Sequence, residues 1–197
     1  MIRLFATRLE DLDRDEAMLC RDIPAAWLAA WQSAHPTLHR PTARMASLAG
    51  IRLLALCGGK GELSYTEDGK PLLTGGAISI THTDAVVISA ISEDHEPIGL
   101  DAEEICGRLD EDRRAAMAER WFSAAEREQA RESEEAFYRI WTRKEAYVKR
   151  LGTGLRDLSA TDTTESDLAF ATYRLGNSVV TLAYSKRDVA AEEIVVI

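Results

Sequence analysis

Cysteine and long apolar runs are scarce in this chain of 197 residues, basic residues are outnumbered by acidic ones, and each of these features argues against a class of protein. The three cysteines, Cys20, Cys57 and Cys106, lie far apart without CxxC spacing, so they indicate neither a zinc site nor a disulfide framework. No uninterrupted apolar run approaches the roughly 20 residues of a membrane-spanning helix. Charge already appears at Arg3, so we expect no signal peptide and a cytoplasmic location.

Basic residues are outnumbered by acidic ones, because 24 Lys and Arg stand against 33 Asp and Glu and the formal net charge is -9. Nucleic acids and anionic membranes would be repelled by this average field, so we expect neither as a partner. A small polyanion can still bind where cationic residues concentrate, as they do at Arg40, Arg44 and Arg52 and again between Arg143 and Arg150. Length and composition predict one globular folding unit.

Hydrophobic periodicity and end signals predict five helices. We expect them at 10–21, 23–32, 42–57, directly after Phe122, and at 134–151. Ser123 and Glu126 have the spacing of a capping box, which predicts the start after Phe122. The helix at 134–151 should be the longest, and Gly152 should end it.

Short runs rich in Ile and Val, divided by polar residues, predict strands. We expect strands at 1–9, 77–80, 85–91, 97–102, 168–175, 178–184 and 193–197. The segment from Asp68 to Pro71 has the composition of a turn. A strand-rich stretch is thus followed by helices and then by further strands.

Asp101 and Glu103 are two residues apart on a predicted strand, so their side chains leave the same face of it. Two like charges this close need a cation or a proton, and a hard divalent ion such as Mg²⁺ suits gathered oxygen ligands. The alternative is a solvated strand end, because carboxylates are mostly exposed. The pair alone does not decide between these interpretations.

The helix at 134–151 carries Trp141, Glu145 and Lys149 at steps of four residues, so the three side chains line one side of it. The simple interpretation is a surface Glu–Lys pair worth about 0.3 kcal/mol beside a half-buried tryptophan. A site for a metal and a phosphate would use the same carboxylate and lysine on one rigid face.

His82 directly follows a predicted strand and is flanked by the hydroxyls of Thr81 and Thr83. Loops after strands often present functional groups, which makes His82 a candidate ligand of phosphate. A surface or capping histidine would look the same in a sequence, so both interpretations stay open.

Taken together, these residues fall in blocks that resemble the 4'-phosphopantetheinyl transferases, specifically the Sfp-type that activates peptide, polyketide and fatty-acid synthases. The blocks are, in order, 69–71 (GKP) with 78–83 (ISITHT), 97–103 (PIGLDAE), 121–123 (WFS) with Glu126, and 141–149 (WTRKEAYVK) with 152–155 (GTGL). The block at 141–149 is highly specific. Thr81 stands where the family more often has serine, and it keeps the hydroxyl.

The resemblance implies the reaction of a holo-[acyl-carrier-protein] synthase. The 4'-phosphopantetheine arm of coenzyme A would move to a serine of an apo acyl or peptidyl carrier protein, with release of adenosine 3',5'-bisphosphate. Asp101, Glu103 and Glu145 would coordinate Mg²⁺, or Mn²⁺ in its place. Glu145 would act as a metal ligand, as the general base, or as both, and Lys149 would be the second catalytic residue.

The resemblance also implies contacts with coenzyme A from residues along the whole chain. They are Lys144 and Lys149 at the phosphates, Thr81 and His82 at the nucleotide phosphates, Lys70 near the adenine, and Arg44, chosen over Arg40, at the 3'-phosphate.

The fold implied by the resemblance is α+β, a pseudo-dimer of two similar halves, 1–98 and 99–197, in one folding unit. Each half would be a long helix packed on a small antiparallel sheet, with coenzyme A in the cleft between them and most metal ligands in the second half. A pseudo-dimer needs no partner subunit, so we expect a monomer. Carrier proteins are generally acidic, as this chain is, so docking should depend on a local apolar patch.

Two other classes of function stay open. A metal-dependent phosphohydrolase could use the same histidine and carboxylates, and it would release phosphate from nucleotides without a carrier. A non-catalytic module that binds coenzyme A or the carrier could keep the fold without transfer. The three carboxylates together with Lys149 favour an enzyme over a binding module.

Overall fold

The structure is a computed structural model, and it describes residues 1–12, 15–36, 40–153, 158–186 and 194–196. The fold is mixed α/β, with helices packed on small sheets that are mainly antiparallel. The chain divides into two compact units: residues 1–97 with the last strand, and the residues from Ile98 through the eighth strand. Within the described ranges, no helix combines the length and the apolar character needed to cross a membrane.

The described elements follow one another as strands and helices of modest length. In chain order they are β1 (Ile2–Arg8), a 3-10 turn (Leu9–Asp11), α1 (Glu16–Cys20), α2 (Ala25–Ala34), α3 (Pro41–Leu56), β2 (Leu63–Tyr65), β3 (Pro71–Leu73), β4 (Ala77–His82), β5 (Val86–Ser92), β6 (Gly99–Glu104), α4 (Glu111–Trp121), α5 (Ala124–Ala130), α6 (Glu134–Leu151), β7 (Leu168–Leu175), β8 (Ser178–Ser185) and β9 (Ile194–Val196).

The first unit is a sheet of order β4-β5-β1-β9 with α3 packed across it. The pairs β4–β5 and β5–β1 are antiparallel, whereas β1 and β9 are parallel. The strands β2 and β3 form a separate hairpin, and its turn uses Gly69 at a φ of 80°, as the turn composition predicts. Pro41 lies in the first turn of α3, where its missing N–H costs no hydrogen bond.

The core of the first unit contains both tryptophans of α2. The indole of Trp27 donates to the Gly61 carbonyl at 2.9 Å, and that of Trp31 donates to Ser47 Oγ at 2.8 Å. Buried indoles are stable when the N–H finds an acceptor, as both do here. Trp27 and Trp31 therefore connect α2 to Gly61 before β2 and to Ser47 of α3.

The predicted helix at 10–21 is wrong in its extent. The structure has a 3-10 turn up to Asp11, extended backbone at Leu12 and a new helix from Glu16. Asp15 caps that helix by accepting from the Ala17 N–H at 2.9 Å, which favours a fresh start over a continuous helix. The second predicted helix begins at Ala25 instead of residue 23, because Pro24 is extended and disfavours helical backbone before it.

The second unit is an antiparallel sheet of order β6-β8-β7 with α6 packed on β6 and β8. The helix at 134–151 is confirmed, with Ser133 as its N-cap and Gly152 at a φ of 75° as its C-cap. The capping box at Ser123 and Glu126 is confirmed as well. The α4 helix has no counterpart among the predictions, although Asp110 caps it and two acidic residues follow in its first turn.

Two predicted segments lie partly outside the described residues. The strand expected at 193–197 is described at Ile194–Val196, where it pairs with β1. In the last sequence block, Gly152 and Thr153 are described, and Gly154 and Leu155 lie outside the described residues.

Candidate active site

Asp101 and Glu103 lie on β6 with their side chains on the face that α6 covers. The antiparallel register places Asp101 opposite Thr181 of β8, and paired residues of a sheet share a face. The Thr181 hydroxyl is hydrogen-bonded to the Thr142 hydroxyl of α6 at 2.8 Å, which identifies this face as the covered one. The Asp101 side chain is only 8% exposed, so a solvated strand end does not describe it.

The α6 helix contributes Trp141 and Lys149 to the same carboxylates. The Lys149 ammonium donates to Asp101 Oδ1 at 2.6 Å, and the Trp141 indole donates to Glu103 Oε1 at 3.2 Å. Lys149 of α6 thus pairs with a carboxylate of β6. The spacing also allowed a surface pair between Glu145 and Lys149 within the helix. The structure therefore brings both carboxylates of β6 against one side of α6.

Glu145 completes the cluster as its third carboxylate. Burial, together with the charges of Asp101 and Glu103, raises the pKa of Glu145 to about 7, against the opposing effect of Lys149. Burial and the Asp101 charge also raise the pKa of Glu103, while the Trp141 hydrogen bond and Lys149 lower it. Three carboxylates close together repel one another, and a cation or a proton relieves that repulsion.

Gly99 allows the strand to lie this close to the helix. A Cβ atom built at Gly99 would be 1.9 Å from the Ala146 carbonyl oxygen and 2.5 Å from the Arg150 nitrogen, both in the α6 backbone. Only glycine fits such a contact between a strand and a helix backbone. Gly99 lies two residues before Asp101, so it sets the distance of the carboxylates from α6.

The donor set of the cluster fits a hard divalent cation by its chemistry. Asp101, Glu103 and Glu145 supply carboxylate oxygens only, which Mg²⁺ and Mn²⁺ prefer. Within the described part of the chain, no three His, Cys, Asp or Glu side chains are already spaced as ligands of one ion. The ammonium of Lys149 provides the counter-charge at Asp101 in this arrangement.

The structure disagrees with the predicted contact between Lys144 and phosphates. Both Lys144 and Glu126 have side chains that are 0% exposed, and the Lys144 ammonium donates to Glu126 Oε2 at 2.8 Å and also to the Thr161 carbonyl. A cation enclosed in this way cannot reach a ligand in solvent. Sequence reasoning missed this pair, although the capping-box spacing had already singled out Glu126.

The Glu126 carboxylate is satisfied on both oxygens. Oε1 accepts from the Thr163 hydroxyl at 2.6 Å and from the Thr163 N–H at 2.9 Å, while Oε2 accepts from the Ser123 N–H at 2.8 Å. A fully buried ion pair is tolerated only when the remaining hydrogen-bonding capacity is used, as here. The pair fastens α5 and the segment at 161–163 to α6, one residue before Glu145.

The other predicted contacts of coenzyme A belong to the first unit. Arg44 binds the Glu16 carboxylate through two hydrogen bonds, of 2.7 and 2.6 Å, and its guanidinium lies 4.5 Å from the Trp31 ring centroid. The Lys70 N–H donates to Thr66 Oγ1 at 3.0 Å in the turn before β3. The Arg44 guanidinium and the Lys70 backbone therefore both have hydrogen-bond partners within the first unit.

Thr81 and His82 are the last two residues of β4, so His82 ends the strand and does not follow it. They pair with Ile88 and Val87 of β5. Successive strand residues point to opposite faces, and accordingly Thr81 is buried whereas His82 is exposed. The β4 strand is longer than the predicted 77–80 because β5 pairs with it as far as His82.

The second half of the chain matches a known family. Residues 97–190 match the family model described as 4'-phosphopantetheinyl transferase superfamily. This match contains β6, α6 and the cluster of Asp101, Glu103, Glu145 and Lys149.

Two curated relatives are also named as 4'-phosphopantetheinyl transferases. The 4'-phosphopantetheinyl transferase AcpT of Salmonella typhimurium strain LT2 is 35% identical over 111 residues, and that of Salmonella typhi is 34% identical over 111 residues. Each alignment covers 52% of this chain and 56% of the relative, so this chain matches little more than half the length of either relative.

Proposed function

We propose that this protein is a 4'-phosphopantetheinyl transferase, which moves the 4'-phosphopantetheine arm of coenzyme A to a serine of an apo acyl or peptidyl carrier protein. The observation that carries the proposal is the convergence of three carboxylates and one lysine from β6 and α6. The similarity of residues 97–190 to the transferase superfamily supports it, because the cluster lies within the matched residues.

Asp101, Glu103 and Glu145 would hold Mg²⁺, or Mn²⁺ in its place. The cation would supply charge neutralisation at the pyrophosphate of coenzyme A. Lys149 would then exchange its bond to Asp101 for a phosphate oxygen, since its ammonium lies 2.6 Å from Asp101 Oδ1. Trp141 would keep Glu103 in place through its indole hydrogen bond.

The reaction is a displacement at phosphorus. The serine oxygen of the carrier attacks the β-phosphorus, which bears the pantetheine arm, and forms a new P–O bond. The bond from this phosphorus to the bridging oxygen breaks, and adenosine 3',5'-bisphosphate leaves with the electron pair. Glu145 accepts the serine proton as the general base. Lys149 stabilises the charge on the phosphates.

The finer features of the Sfp-type are proposals too. Arg44, Lys70, Thr81 and His82 would contact coenzyme A, and Arg44 would first have to leave Glu16. We propose a monomeric pseudo-dimer, because each unit has its longest described helix packed on an antiparallel pair of strands. The free thiols of Cys20, Cys57 and Cys106 are in keeping with the cytoplasm.

Product analysis separates this function from the two alternatives. The protein is incubated with coenzyme A and Mg²⁺, with and without an apo carrier protein, and adenosine 3',5'-bisphosphate is quantified by liquid chromatography. A transferase releases it only when the carrier is present. Release of this product or of inorganic phosphate without the carrier would indicate a phosphohydrolase, and release of neither with any carrier would indicate a binding module.

A further inference from the structure

Arg139 and Arg143 form a cationic patch on α6 that has no counter-charge in the described chain. They lie four residues apart, so they are neighbours on the surface of the helix, with Arg139 exposed and Arg143 half-buried. Within the described ranges, neither guanidinium makes an ion pair or a hydrogen bond to another residue. This is unexpected in a chain with a formal charge of -9.

Four other half-buried arginines each have a carboxylate partner, which Arg143 lacks among the described residues. Arg44 is paired with Glu16, Arg52 with Asp22, Arg114 with Glu134, and Arg127 with Glu119. A partly buried guanidinium is stabilised by a carboxylate, because burial removes water from its N–H groups. In Arg143, the buried Nε has no hydrogen-bond acceptor.

The nearby carboxylates are already engaged. Glu126 attracts Arg143 electrostatically, yet it is fully buried and bonded to Lys144. Glu135 precedes Arg139 by four residues, which is the spacing of a helix ion pair, but its carboxylate lies 3.7 Å from Arg174 of β7. Among the described residues, Arg139 and Arg143 thus have no carboxylate partner, so an acidic group of another molecule can serve as one.

Phe170 adds an apolar surface to the patch. The guanidinium carbon of Arg143 lies 5.6 Å from the centroid of the Phe170 ring, within the range of a cation–π contact. Phe170 belongs to β7, an edge strand of its sheet, and is itself only partly buried. Arginine and aromatic side chains together are typical of the energetically important part of a protein interface.

We propose that Arg139, Arg143 and Phe170 dock an acidic surface segment of the acceptor protein. The inference rests on the proposed transferase function, because that function requires a protein acceptor. A partly exposed patch on a helix and an edge strand suits another protein better than a small anion, which usually binds in a concave site. The docking surface is therefore cationic and aromatic, which adds charge to the apolar patch expected from the sequence.

Steady-state kinetics of the full chain test the inference. The acceptor is an apo acyl carrier protein, and the variants are Arg139→Ala with Arg143→Ala, and Arg139→Glu alone at its exposed position. The KM for the carrier should rise about tenfold in the double variant, while kcat and the KM for coenzyme A change less than about twofold. The difference in KM should shrink at high salt, because exposed ion pairs are screened.

The control variant is Arg113→Ala with Arg131→Ala. It removes the same charge from the same unit, but these exposed arginines already have the carboxylates of Asp110 and Glu128. An unchanged KM for the carrier in both patch variants would overturn the inference and leave the proposed function intact. A selective rise in the KM for coenzyme A would also overturn it. Failure of the unaltered protein to modify any carrier would remove the proposed function and this inference together.

Discussion

The surroundings of Glu145 strongly change its protonation. Burial and two neighbouring carboxylates raise its pKa to about 7 from an ordinary value of 4.5. The folded protein therefore binds a proton at Glu145 more tightly than the unfolded chain does. The contribution of Glu145 to stability is fully present below about pH 4.5 and is lost as pH rises through 7.

We predict that Glu145→Gln stabilises the metal-free protein more at pH 8 than at pH 5. At pH 8 the substitution removes a buried negative charge, whereas at pH 5 it replaces a carboxyl that is already neutral. Urea denaturation in EDTA at both values measures the difference. Glu104→Gln, on the opposite face of β6, is the control. Equal effects of Glu145→Gln at the two pH values would contradict the raised pKa.

Lys144 and Lys149 should respond differently to the same substitution. Lys144→Met leaves the buried Glu126 carboxylate without its cation, so we expect a loss of about 3 kcal/mol in the free energy of unfolding. Lys149→Met removes a cation that is 35% exposed, so we expect the smaller stability loss, about 1 kcal/mol, but the larger loss of transfer.

Urea denaturation and the rate of carrier modification, measured on both variants, test this difference. The double variant of Lys144→Met with Glu126→Gln should recover part of the stability, because no charge is then left buried and unpaired. A fully stable Lys144→Met variant would contradict the role of Lys144 in fastening α5 to α6.

At the scale of elements, the contact between β6 and α6 creates the candidate site. Gly99→Ala places a methyl group within 1.9 Å of the α6 backbone, so the helix must move away from the strand. We expect a stability loss of about 2 kcal/mol, typical of overpacking, and a weaker response of the protein to Mg²⁺. Urea denaturation with and without Mg²⁺ measures both, and a variant with unaltered stability and Mg²⁺ response would contradict the positioning role of Gly99.

The elements themselves were predicted with uneven success. The α6 helix was predictable because its periodicity is long and both of its ends carry caps, at Ser133 and Gly152. The α1 region was not, since the cap at Asp15 competes with an apparently continuous helical pattern. The short hairpin of β2 and β3 has too few residues for periodicity to identify, and only its turn at Gly69 was visible.

At the scale of the molecule, candidate site residues could be chosen from the sequence, but the pairs that they form could not. Spacing indicated that Asp101 and Glu103 share a face and that Glu145 and Lys149 share another. It did not show that Lys149 binds Asp101, or that Lys144 is enclosed with Glu126. Such pairings depend on the packing of α6 on its sheet, which residue spacing along one element does not contain.

The most direct test of the proposed transfer is the intact mass of an apo acyl carrier protein after incubation with this protein, coenzyme A and Mg²⁺. We predict a gain of one phosphopantetheine, which is lost when EDTA is added or when Glu145→Ala replaces the unaltered protein. No gain with fatty-acid and peptidyl carriers alike would contradict the transferase function. A gain that persists in the Glu145→Ala variant would contradict the assignment of the carboxylate cluster.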